Sequence, residues 1–187
     1  MTEIAIVLGS VRENRFGAQI ANWVLEQAKA VGDPGTSFKL VDLADYELPV
    51  FTGSTPPGAL KKHYPNPAVA AWSKALDSAD GYVFITAEYN HSIPGAFKNA
   101  IDHIGPELNK KAIAFVGYAW DGAIRAVEQW RTIAGQFNMY DIRPQLALSF
   151  PHDSEEGTFK PMTRRNMELK SLITELSAAS KALKTLR

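Results

Sequence analysis

Short apolar runs alternate along this chain with stretches in which apolar residues recur at helical spacing. Ile4-Ala5-Ile6-Val7-Leu8 reads as a first strand, and Ile20, Trp23, Val24, Ala28 and Val31 mark the helix after it. Gly32-Asp33-Pro34-Gly35 breaks that helix, and Phe38 to Leu43 reads as a second strand. A long loop rich in Pro, Gly and Thr runs from Asp45 to about Pro67, and Val69, Trp72, Leu76 and Ala79 define the next helix. Gly81 to Thr86 is nearly all apolar, as expected of a strand covered on both faces. After the loop Ala87 to Ile93, Pro94 suits a first helical turn, and Phe97, Ala100 and Ile101 give that helix its stripe. Ala112 to Val116 is a fourth strand and Gly117 to Gly122 a further loop. Ile124, Val127, Ala134 and Phe137 set a helix face, Leu146 to Phe150 a fifth strand, and Leu169, Leu172, Ile173, Leu176 and Leu183 a closing helix.

Strands separated by helices imply right-handed crossovers and a parallel sheet covered on both faces. The expected fold class is α/β: a flavodoxin-like, doubly wound, five-stranded parallel sheet of order 2-1-3-4-5, spanning residues 1–187 as one domain. Ligands in such sheets sit at the carboxyl ends of the strands. The loops after strands one, three and four emerge there, and they carry the unusual chemistry.

Charge and composition narrow the classes. Lys+Arg and Asp+Glu both number 20, which argues against nucleic-acid and membrane-surface binding. Without Cys there is no thiol catalysis, disulfide or zinc–thiolate site, and the four His are not at metal-ligand spacing. Met1-Thr2-Glu3 leads directly into the first strand, with no signal-peptide pattern, and no apolar run approaches the ~20 residues of a membrane helix. A cytoplasmic protein with no membrane insertion is expected.

The loop Gly9-Ser10-Val11-Arg12-Glu13-Asn14-Arg15-Phe16-Gly17 lies between a strand and a helix N-terminus. Backbone N–H groups, the Ser10 hydroxyl, the positive helix end and two arginines suit a phosphate. The lysine of a Walker loop is missing, and the spacing of a dinucleotide G-x-G-x-x-G fails. A mononucleotide phosphate site remains, beside the plainer reading of a surface loop whose arginines pair with Glu3 or Glu13.

Ala87-Glu88-Tyr89-Asn90-His91-Ser92-Ile93-Pro94-Gly95-Ala96-Phe97-Lys98-Asn99-Ala100-Ile101-Asp102 resembles the signature of the NAD(P)H-dependent FMN reductase family. Gly9-Ser10-Val11-Arg12 matches that family's first loop, and Ala126 to Arg131 resembles its third stretch. The resemblance runs from about Ile4 to Phe150. It implies FMN as cofactor and NADPH or NADH as co-substrate. Ser10, Arg12, Arg15, Phe16 and Gly17 would hold the phosphate. Ala87, Glu88, Tyr89 and Asn90, with Gly117 and Tyr118, would hold the isoalloxazine edge. It implies hydride transfer in ping-pong order to a small-molecule electron acceptor: a quinone, azo dye, free flavin or oxidised metal. It also implies a homodimer or homotetramer, with Phe97, Ile101, Phe51, His63 and Tyr64 as candidate interface residues. No catalytic acid or base is required. A flavodoxin-like electron carrier or redox sensor acting through a protein partner, and a flavin-free scaffold, are the other readings.

The chain departs from the family pattern at Ala87, where a proline is usual, and at Gly117-Tyr118-Ala119-Trp120-Asp121-Gly122, usually small and Gly-rich. Trp120 either covers the flavin or narrows the substrate pocket, or it packs on a neighbouring helix or subunit. His91 reads as a solvated loop residue and Glu88 as a group positioning an arginine or a turn. Asp102-His103, adjacent on a helix, do not face each other. Arg164-Arg165 read as a solvated face, and Trp23, Trp72 and Trp130 as core or interface.

Overall fold

The computed structural model describes residues 1–187 and has five parallel strands, β1 Thr2–Leu8, β2 Thr36–Asp42, β3 Gly81–Ala87, β4 Ala112–Ala119 and β5 Tyr140–Ser149, in the order β2-β1-β3-β4-β5. The expected topology is therefore observed. β1 is flanked in register by β2 (Ile4 opposite Phe38) and β3 (Ile4 opposite Gly81), so the reversal of strand order falls between β1 and β3. Helices α1 Gly17–Val31 and α6 Arg164–Lys184 cover one face; α2 Pro67–Asp77, α3 Gly95–Asp102 and α4 Ile124–Gln136 cover the other. Each helix turns its periodic apolar residues to the sheet: Ile20 and Val24, Trp72 and Leu76, Phe97 and Ile101, Val127 and Trp130 are all buried. Trp72 and Trp130 are core residues whose indole N–H groups are satisfied, by the Ala100 carbonyl at 2.8 Å and by Thr86 Oγ1 at 3.1 Å. Trp23 is half-buried against Phe159, ring centroids 5.3 Å apart.

Several details differ from the sequence reading. β4 continues through Ala119, so Gly117 and Tyr118 are strand residues, paired with Thr86 and Ala87 of β3. β5 begins six residues before Leu146, at Tyr140, because its polar first half lies at the open edge of the sheet, where an apolar run is not required. Pro94 stands one residue ahead of α3, at its N-cap. After β5 come a one-turn helix, α5 Phe150–Asp153, and a two-residue hairpin, β6 Ser154–Glu155 with β7 Thr158–Phe159, too short to leave a periodic signal. The hairpin leans on α1, where Gln19 accepts from the Phe159 N–H at 2.9 Å. Phe97 and Ile101 are not interface residues: both are buried in the core, Phe97 between Phe84 and Trp130 with centroids 4.9 and 4.7 Å away.

Arg165 corrects the solvated-face reading. Arg164 stays exposed, but Arg165 is buried, and its Nε and Nη2 donate to Asp153 at 3.0 and 2.8 Å. Lys111, ahead of β4, is buried too. It donates to the carbonyls of Leu76 and Asp77 at the end of α2 and to the Tyr82 hydroxyl, and burial pushes its ammonium down to about 8.

Candidate active site

The loop after β1 meets the N-terminus of α1 with its donors free. Gly9 is still bound to the sheet, donating to the Ile85 carbonyl at 3.1 Å, but no backbone N–H from Ser10 to Gly17 has a partner within the protein. Phe16, in the N-cap position, offers no side-chain acceptor, and the first turn of α1 has no acidic residue, so the positive helix end is uncompensated. The loop can lie this low only because residue 9 is glycine: a Cβ there would fall 1.8 Å from Phe97 Cδ1.

The arginines divide. Arg12 is exposed, its guanidinium carbon 6.0 Å from the Tyr89 ring centroid. Arg15 is half-buried and paired with Asp42 at the end of β2, while its own Nε is buried without an acceptor. Neither pairs with Glu3, which holds Lys39 at 2.5 Å. Unpaired N–H groups, an orphaned guanidinium N–H, the buried Ser10 hydroxyl and one exposed guanidinium together form a donor set with almost no opposing acceptor. That is the chemistry a phosphate dianion requires.

The loop after β3 is a tight hairpin. Tyr89 and Ser92 exchange both backbone hydrogen bonds at 3.0 Å, and the two residues between them, Asn90 and His91, have φ of 51° and 63°. This is the geometry of a two-residue primed turn, which favours Asn at the first position. Asn90 is exposed and set by the turn, and His91 is exposed at the tip. The hairpin is anchored to α4: Ser92 Oγ donates to Gln129 Oε1 at 2.6 Å, and Gln129 Nε2 donates to the His91 carbonyl at 3.1 Å.

Glu88 does not offer its carboxylate to a ligand. The side chain is 4% exposed and accepts from the backbone N–H groups of Arg125 and Ala126, at 3.0 and 3.2 Å, and from Arg125 Nε at 2.6 Å. It is the N-terminal cap of α4 supplied from another element, since Ala123 at the N-cap position has none of its own. Glu88→Ala should cost about 1–3 kcal/mol of stability, by leaving those donors unpaired. Hydrogen exchange at Ala126 and across 88–92 should rise together; protection unchanged at 88–92 would separate the cap from the hairpin.

Gly117 is likewise closed off: a Cβ on it would meet the Gly122 carbonyl oxygen at 2.7 Å, so it packs under the 122–123 turn. The Tyr118 side chain turns to the α1 side of the sheet, and Tyr89 Oη reaches Ser10 Oγ at 3.3 Å. Both tyrosines thus direct their hydroxyls towards the loop after β1 and the start of α1. Trp120 is 72% exposed and meets Phe150, the first residue of α5, edge-on at 6.0 Å.

Other tempting groups are occupied. Asp102 holds Lys98 at 2.6 Å, whereas His103 Nε2 lies 2.8 Å from the Pro49 carbonyl and its ring stands edge-on to Phe51. Asn99 donates to the same carbonyl at 2.9 Å, and α3 so pins the long loop over a cavity of about 360 Å³ lined by Phe51, Leu60, Tyr64 and Val69. Sequence reasoning missed the anchoring roles of Gln129 and Asp42; the only signal for Gln129 was its place in the third family-like stretch.

A family model described as NADPH-dependent FMN reductase matches residues 2–153. The chain belongs to that family. Membership makes it an oxidoreductase of the FMN-dependent, NAD(P)H-using kind, and its residues fit the cofactor's phosphate as described. It is 32% identical over 179 residues, 94% of this chain and 88% of the relative, to the NAD(P)H-dependent FMN reductase C4B3.06c of Schizosaccharomyces pombe. It is 30% identical over 100 residues, 54% of this chain and 48% of the relative, to a quinone reductase of Escherichia coli. In fold it resembles the flavoenzyme NAD(P)H:(acceptor) oxidoreductase FerB of Paracoccus denitrificans, with a TM-score of 0.73 and 17% identity over 97% of this chain and 98% of the other. No helix is long and apolar enough to cross a membrane.

Proposed function

We propose that this member of the family passes two electrons from NADPH or NADH, in ping-pong order, to a small-molecule acceptor: a quinone, azo compound, free flavin or oxidised metal ion. The observation that carries the reading is the run of unpaired N–H groups from Ser10 to Gly17, at the same end of the sheet as the 88–92 hairpin. FMN supplies the hydride chemistry, and the protein binds and orients it. Ser10, Arg12, Arg15 and the N–H groups of Phe16 and Gly17 hold the phosphate. The backbone of Ala87, Glu88, Tyr89 and Asn90 meets the polar edge of the ring. The hairpin leaves the N–H groups of Asn90 and His91 without internal partners, and such donors favour negative charge on the group they bond. Hydride transfer needs no protein acid or base, and Asp102 and His103 are engaged with Lys98 and the Pro49 carbonyl.

Purified protein should take up FMN and oxidise NADPH or NADH with benzoquinone and no protein partner, with parallel double-reciprocal plots. Intersecting plots would overturn the ping-pong order, and protein that takes up no FMN would sink the whole reading. Arg12→Ala should weaken FMN binding by about 1.5–3 kcal/mol, the worth of a charge-assisted hydrogen bond, measured by fluorescence titration; an unchanged Kd would remove Arg12 from the phosphate site. We also propose a homodimer or homotetramer. Val11, Trp120 and Ile124, exposed apolar residues, follow β1 and β4 at the carboxyl end of the sheet, and sedimentation should show two or four chains.

A further inference from the structure

Tyr118, one residue before the end of β4, carries a side chain whose place in the fold is set by two other elements. The residue is 4% exposed, rising from β4 on the face covered by α1 and α6. Its hydroxyl lies under the first turn of α1, so close that a Cβ on Gly17 would fall 2.4 Å from it. Glycine at the first position of α1 thus lets a hydroxyl from another strand reach the helix N-terminus. The Ser10 hydroxyl stands beside it, close enough to pull on the phenol proton, but its hydrogen-bond distance of 3.3 Å is to the Tyr89 hydroxyl.

A nearly buried phenol held only by a long contact to a neighbouring hydroxyl keeps its proton available for a better acceptor. The groups around it are Ser10, Tyr89, Arg12 and Arg15, all belonging to the phosphate end of the site. Burial, outweighing the pull of Ser10 and the two arginines, pushes the phenol up to about 12, so at ordinary pH it is a neutral donor with a proton to give. An acceptor-rich anion seated on the unpaired N–H groups of Phe16 and Gly17 is the partner that geometry admits, because the hydroxyl and those N–H groups meet at one helix end.

We propose that the Tyr118 hydroxyl is a phosphate-reading group: it donates to the phosphate of the bound flavin nucleotide and makes the site select FMN over riboflavin. This rests on the FMN-dependent reading above. The ring edge is then left to the backbone of the 88–92 hairpin, and the phosphate is contacted from three elements: the loop after β1, the helix α1 and the strand β4.

Tyr118→Phe tests this, because it removes one oxygen and keeps the packed ring. Flavin fluorescence quenching would give Kd for FMN and for riboflavin in wild type and variant, alongside the melting temperature of the flavin-free protein. The expected result is a rise of roughly tenfold or more in the FMN Kd, the loss of one hydrogen bond to a charged group. The riboflavin Kd and the flavin-free melting temperature should not change. An equal rise for both flavins would overturn the proposal and return Tyr118 to the ring end or to packing; so would no change for either. Failure of the wild-type protein to bind FMN at all would instead strike the cofactor reading itself, which the wild-type titration alone reports.

Discussion

Gly9→Ala is expected to destabilise the protein by about 3 kcal/mol and to raise the FMN Kd at least about tenfold. The methyl group would lie 1.8 Å from Phe97 Cδ1, and Phe97 has nowhere to go: it is fully buried and wedged against Phe84 and Trp130. Overpacking of this kind costs about 1–3 kcal/mol, more where the neighbours are rigid aromatic rings. At this chain length that corresponds to a loss of roughly 6–12 °C in Tm. The strain falls on the turn between β1 and the unpaired N–H run, so the phosphate donors move with it, and sub-ångström positioning is what such a cradle depends on. Phe97→Leu should restore part of both losses when combined with Gly9→Ala, a favourable coupling of about 1 kcal/mol in a double-mutant cycle. A Gly9→Ala protein that melts and binds FMN like wild type would show that the loop is not seated on Phe97.

Asp153→Ala should be the most damaging single change away from the site, at about 3–5 kcal/mol, the cost of leaving a buried charge without its partner. Asp153 and Arg165 are both nearly inaccessible, and the carboxylate also accepts from the Ser149 N–H at 2.9 Å and the Met162 N–H at 3.3 Å. It therefore ties the end of β5 and the segment before α6 together around α5. Burial alone would push the Asp153 carboxyl up; Arg165 and the two backbone donors outweigh it and hold the group below the usual carboxylate range. The sign of the pH effect follows. A folded-state value depressed below the unfolded one, near 3.9, contributes stability that is fully present above that pH and is lost as pH falls through the folded value. Denaturant unfolding should thus show the gap between wild type and Asp153→Ala constant from pH 5 to neutrality and narrowing below about pH 4. A gap that widens on acidification would contradict the assignment. Phe150, in the same short helix, packs on Phe16 at 5.3 Å, so a shallow loss of FMN affinity should accompany the loss of stability.

Arg165 shows why so much of this was beyond local reading. In the chain it is the second of two adjacent arginines opening a polar-looking helix, and nothing nearby says that one is exposed and the other buried. Its partner lies across α5 and the short hairpin, elements without a periodic signal. Glu88 is a similar case. Within its own loop it is one more polar residue beside Tyr89 and Asn90; only the packing of α4 on β3 turns it into a helix cap. Gly117 and Tyr118 were placed in a loop because β4 outlasts its apolar run, and the extra residues alternate between the two faces of the sheet.

What the residues determined alone was the architecture. Apolar runs separated by amphipathic helices lead to one parallel sheet, and a glycine–serine–arginine turn before a helix offers donors suited to a phosphate, because period and backbone donors are local properties. Tertiary structure decided which side chains are free to act. Asp42 occupies Arg15, Gln129 and Glu88 brace the hairpin, and the Tyr118 hydroxyl is carried under Gly17 from three strands away in sequence. Those assignments depend on which polar groups meet across elements, and only the packed sheet and its helices bring them together.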